Sequence, residues 1–93
     1  MVQVIENRAD IEGRLLAIKP DASRPDHKIV TIEVGAASAV EGYPNMFASA
    51  SGSQLEMIVP ADLAKPLKVG AAVRCRIRRA GPAAVFAEAC TPR

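Results

Sequence analysis

Along Leu67 to Glu88 (LKVGAAVRCRIRRAGPAAVFAE) apolar and basic residues alternate: Val73, Cys75 and Ile77 interleave with Arg74, Arg76 and Arg78. Successive side chains of a strand point to opposite faces, so this pattern predicts a strand with one apolar face and one face studded with guanidinium groups. A Gly-Pro turn at Gly81-Pro82 leads to a second short strand. Upstream, IEGRLLAIK (Ile11 to Lys19) reads as a first strand, with Gly13 marking a bulge or sharp bend. HKIVTIEV (His27 to Val34) is the second strand, with Val30, Ile32 and Val34 on one face and Thr31 and Glu33 on the other. QLEMIV (Gln54 to Val59) is the third, and Pro60 to Lys65 (PADLAK) forms one helical turn ended by Pro66.

Other segments break the rhythm. Val2, Val4 and Ile5 are apolar, and Asn7-Arg8-Ala9-Asp10 is turn-like. PDASRP (Pro20 to Pro25) is a loop. Gly35 to Ser53 (GAASAVEGYPNMFASASGS), rich in Ala, Ser and Gly, reads as a long flexible loop, and Cys90 to Arg93 as a tail. The expected fold is all-β: a five-stranded antiparallel barrel with one short helical turn between strands three and four. Strands this short cannot hide an apolar face as a flat sheet, and curling into a barrel also removes the edges.

Composition agrees with a single small domain spanning residues 1–93: 93 residues suffice for one core, 49% are hydrophobic and 24% charged. Trp is absent and aromatics make up 3%, so Val, Ile, Leu, Met and Ala must build the core. The net charge of +2 is too small for affinity resting wholly on phosphate neutralisation, and only local clustering of Arg carries information. Two cysteines, Cys75 and Cys90, define no disulfide framework, and Cys75 reads as a small buried hydrophobe. No N-terminal run resembles a secretory signal and no apolar stretch is long enough to span a bilayer, so the expected location is cytoplasmic, away from membranes.

The order strand–strand–strand–helix–strand–strand over Ile11 to Glu88 resembles the oligonucleotide/oligosaccharide-binding (OB) fold. The segments IEGRLLAI, GSQLEMIVPADLAKPLKVGAAVRCRIR and AVFAE are also similar to the molybdate-binding TOBE barrels, themselves OB-like. That resemblance implies an oxyanion site at a Ser-Ala-Arg-Asn segment and a Lys-Ala-Ser/Thr segment. Here the corresponding positions read Asn7-Arg8-Ala9-Asp10 and Arg79-Ala80-Gly81, without the hydroxyl and lysine donors.

Three functional readings stand. In the first, Arg74, Arg76, Arg78 and Arg79, with Lys68, contact the phosphates of single-stranded nucleic acid or RNA while Tyr43 and Phe47 stack on bases. Against it, Glu33, Glu56 and Glu88 occupy outward strand positions where cross-strand pairs would neutralise the arginines. Tyr43, Met46 and Phe47 would equally serve as a lid over the barrel mouth. In the second, the Gly35–Ser53 loop and a sheet edge join a protein partner or a second copy. The third is TOBE-like anion binding. His27, the lone histidine, follows Asp26 but has no nucleophile to serve, and the Cys and His positions match no zinc spacing. No P-loop or dinucleotide fingerprint occurs, so neither an enzyme nor a cofactor is expected.

Overall fold

Alternation carried far enough to close a sheet on itself produces the observed architecture. The computed structural model describes residues 7–45, 47, 51–80 and 84–92. Its elements are β1 (Ala9–Pro20), β2 (His27–Ala39), β3 (Gln54–Pro60), α1 (Ala61–Ala64), β4 (Ala72–Arg79) and β5 (Val85–Pro92). The strands close into a barrel in the order β1-β2-β3-β5-β4, compatible with the OB-like barrel expected from the sequence. The short helix lies between β3 and β4.

One feature of the expected sheet needs correction. The pairs β1/β2, β1/β4, β2/β3 and β4/β5 are antiparallel, but β3 and β5 meet in parallel through Ile58 and Phe86, so the sheet is mixed. Closure of the barrel dictates this: α1 carries the chain across to β4, and β5 then returns beside β3 running in the same direction. Strands also extend beyond their expected limits. Gly35 to Ala39, read as the start of the flexible loop, continue β2, because Ala36 to Ala39 pair with Ala9 to Glu12 of β1. Cys90 to Pro92 pair with Val73 to Cys75 and belong to β5. The supposed turn residues Ala9 and Asp10 open β1. The Gly81-Pro82 turn lies outside the described residues.

The core is aliphatic, as a chain without Trp requires. Ile11, Leu15, Val30, Ile32, Met57, Val59, Val73, Cys75 and Ile77 point inward and are essentially inaccessible. Ala64 of α1 and Leu67 join the same buried cluster. Phe47, from the β2–β3 connection, is the largest fully buried side chain. Register shifts between Glu12 and Gly13 and between Leu15 and Ala17 bend β1 so that it pairs with both β2 and β4.

Candidate functional site

The arginines of β4 divide into two groups with different neighbours. Arg74 and Arg76 face outward, opposite Glu12 and Asp10 of β1. The Arg76 Nε–H donates to Asp10 Oδ1 at 3.0 Å and its Nη2–H to Oδ2 at 3.3 Å, a bidentate fork. Arg74 lies 3.6 Å from the same carboxylate and 3.8 Å from Glu12. Neutralisation therefore comes from β1, from Asp10, which was expected in a turn, and from Glu12 of the expected first strand. Of the glutamates named from alternation, Glu88 pairs with Arg8 at 2.6 Å and Glu56 with Lys19 at 3.5 Å, while Glu33 faces Arg14 across β1/β2.

Asp10 is only 14% exposed, and the Arg76 hydrogen bonds hold its carboxyl below the usual range, helped by the charges of Arg76 and Arg74 against a partial burial cost. A depressed carboxylate contributes stability that is present above its unfolded pKa and lost as pH falls through its folded value. Replacing Asp10 with Asn is expected to cost about 1 kcal/mol at neutral pH. It should also flatten the acid limb of stability below pH ~4. Urea unfolding at neutral and acid pH measures both; an unchanged acid limb would show that the fork contributes nothing.

Arg78 and Arg79 meet aromatic rings. Arg78 is the register partner of Phe86, and its guanidinium carbon lies 5.2 Å from the ring centroid. A second guanidinium, from Arg24 in the β1–β2 connection, lies 5.4 Å from the same centroid. That connection is shaped for the purpose. Buried Asp21 accepts the Ser23 backbone N–H at 2.9 Å and pairs with Arg24 at 3.2 Å. The Ser23 N–H, aided by Arg24, holds the Asp21 carboxyl below its ordinary value.

Register extends the cluster into a surface row. Lys19 faces Ile29, Ile29 faces Ile58, Ile58 faces Phe86, and Phe86 faces Arg78. The flanking residues Val30, Met57, Val59, Val85, Ala87 and Ile77 point into the core, so this row points outward. Ile29, Ile58 and Phe86 are half-buried. A shallow cavity of about 160 Å³ beside them is lined by Ile29, Glu56, Met57, Ile58 and Val85. Phe86 was not singled out from the sequence. Its signal was present, an outward aromatic between inward Val85 and Ala87, but its partners depend on register.

The remaining predicted residues are only partly brought together. Tyr43 is half-buried, with the Arg8 guanidinium 4.4 Å from its ring centroid and bidentate to Glu88. Phe47 is 2% exposed and belongs to the core, with Arg79 at 5.0 Å from its ring, so its face is not open for stacking. Asn7 ties this end of β4 down: its amide oxygen accepts the Arg79 N–H at 2.8 Å and its Nδ2 donates to the Arg79 carbonyl at 3.0 Å. Lys68 is exposed in the α1–β4 connection, at the opposite end of β4 from Arg79. Met46 lies outside the described residues.

The positions aligned with the TOBE motifs serve structure, with Asn7 on the Arg79 backbone and Arg8 on Glu88. A groove of about 380 Å³ at the β1 bulge presents Glu12 and Glu33 beside Arg14, a poor balance for an oxyanion. His27 opens β2, its N–H bonded to the Arg24 carbonyl. Among the described residues no three His, Cys, Asp or Glu side chains cluster as metal ligands would. No helix among them is long and apolar enough to cross a membrane. Compared with protein-family models, curated proteins and solved structures, the chain matches none.

Proposed function

We propose that the domain is a non-catalytic binding module for single-stranded nucleic acid, working through the outward row Ile29, Ile58 and Phe86 and the cations Arg24 and Arg78. The observation that carries the reading is a half-buried aromatic ring with two guanidinium groups within 5.4 Å, at one end of an apolar strip. Bases stack on such a ring without regard to sequence, and the adjacent guanidinium groups answer the phosphates that follow. OB-like barrels that take oligonucleotides use the face of strands two and three with the neighbouring loops, which is where Ile29, Ile58 and Arg24 stand. Arg79 follows Arg78 at the end of β4 and adds to the positive charge there. Arg74 and Arg76, engaged by Asp10, contribute less than their spacing suggests.

The test is fluorescence anisotropy of a labelled mixed-sequence single-stranded oligonucleotide titrated across a salt series. Loss of one stacked base is worth ~1–3 kcal/mol, so Phe86→Ala is expected to weaken binding about 5- to 150-fold. Arg78→Ala should lower the log–log salt slope by ~0.7, the contribution of one phosphate contact on a single strand. Arg76→Ala should change affinity far less than Arg78→Ala. Equal affinities for wild type and both Phe86→Ala and Arg78→Ala would overturn the assignment. A second reading, a protein-interaction or assembly surface, rests on the apolar character of Ile29 and Ile58. No oligonucleotide binding at low salt, together with a mass that rises with concentration in light scattering, would select it.

A further inference from the structure

Cys75 and Cys90 are direct register partners on the antiparallel strands β4 and β5. Both point inward, at 0% and 6% exposure, and both are free thiols. Directly opposed residues of an antiparallel pair have Cα atoms ~4.5 or ~5.5 Å apart, depending on the rung. Both spacings fall in the ~4.4–6.8 Å window that a disulfide requires. Joining these sulfurs therefore demands side-chain rotation rather than backbone movement.

Access is the second requirement. Cys90 lines a surface groove of about 200 Å³ together with Asp10, Arg74, Arg76, Ala89 and Thr91. The two thiols influence each other: the Cys75 neighbour lowers the Cys90 pKa, while the Cys90 neighbour and burial raise that of Cys75. The less deeply buried of the two residues is thus also the one that more readily carries the negative charge.

We propose that Cys75 and Cys90 form an oxidation site that closes into an intramolecular cross-strand disulfide on exposure to a peroxide. The Cys90 thiolate attacks the peroxide O–O bond, giving Cys90 sulfenic acid and hydroxide. The Cys75 sulfur then attacks the sulfenic sulfur, forming the S–S bond and expelling the oxygen, which leaves as water once it takes up the Cys75 proton. With hydrogen peroxide the sum is two thiols and one peroxide to one disulfide and two waters. The product links β4 to β5 across their turn and adds a covalent tie to the seam that carries Arg78 and Phe86.

The experiment exposes the folded, reduced full chain to hydrogen peroxide, then alkylates with iodoacetamide in denaturant and reads the intact mass. The expected result is a monomer lighter by two hydrogens, with neither cysteine alkylated, a proteolytic peptide linking Cys75 to Cys90, and full reversal by dithiothreitol. The oxidised form should melt higher by on the order of 10 °C, because the bond restricts the unfolded chain. In Cys75→Ser the reaction should halt at Cys90 sulfenic acid, trapped by dimedone. Two alkylatable thiols remaining after an exposure that oxidises the unfolded chain would overturn the proposal. So would disulfide-linked dimers, stable oxygen adducts in place of the loss of two hydrogens, or a disulfide that lowers the melting temperature.

Discussion

Gly13→Ala is expected to lower the melting temperature by about 15 °C, from a destabilisation of about 3 kcal/mol. A Cβ at this position would meet the Glu33 carbonyl oxygen and would stand 2.8 Å from Ile32 Cγ2 and 3.0 Å from the Glu33 carbonyl carbon. The clashing groups are mainly backbone, so no rotamer change relieves them. Gly13 sits at the β1 register shift, facing Val34 on one side and Val73 on the other. A sheet with a free edge would yield by letting β1 drift outward. In a closed barrel β1 is held from both sides, and moving it away from β2 compresses β4. The matched control is Gly35→Ala, whose Cβ would lie 3.4 Å from the Glu12 carbonyl oxygen, close to ordinary contact. It should fall within about 0.5 kcal/mol of wild type, since Ala is the better strand residue. Thermal melts of the pair decide the matter: equal stability of both variants would show that the bulge tolerates a side chain.

The contrast between these two glycines illustrates what sequence periodicity conveys. Gly13 interrupts an otherwise apolar strand and was legible as a bend, because a strand that loses its side chain there must need the space. The inward face was legible too, since Val73, Cys75, Ile77, Val30 and Ile32 alternate cleanly, and all five are buried. Periodicity is silent about partners. Glu33, Glu56 and Glu88 were rightly placed on the outside of strands, yet the carboxylates that meet Arg74 and Arg76 are Asp10 and Glu12. Asp10 looked like part of a turn because Asn, Asp and Ala are weak strand formers. Pairing with β2 and β4 overrides that preference, as it does for Gly35 to Ala39. The Arg24–Phe86–Arg78 group was invisible for the same reason: its members come from a loop and two strands, and only the closed register brings them together. Faces follow from local chemistry, whereas neighbours follow from long-range pairing, and a candidate site is made of neighbours.

Phe47→Ala should destabilise the domain by about 3 kcal/mol while leaving oligonucleotide affinity of the folded fraction unchanged. The ring is 2% exposed and is the largest side chain sealed in the core, although it comes from a connection and not from a strand. Removing it leaves a cavity in the core that the surrounding structure fills only in part. The Asn45 side chain accepts the Phe47 N–H at 2.9 Å, a local turn that presents the ring to the core. Tyr43 provides the comparison. Its ring is half-buried against the Arg8 guanidinium, a contact worth about 0.5–1 kcal/mol at an exposed site, so Tyr43→Ala should cost much less. Urea unfolding of both variants, followed by anisotropy under conditions where each is folded, separates packing from binding. The opposite pattern, with Phe47→Ala as stable as wild type but weak in binding, would make Phe47 a stacking residue. The β2–β3 connection would then be an arm that opens to its ligand, not an anchor that closes the barrel.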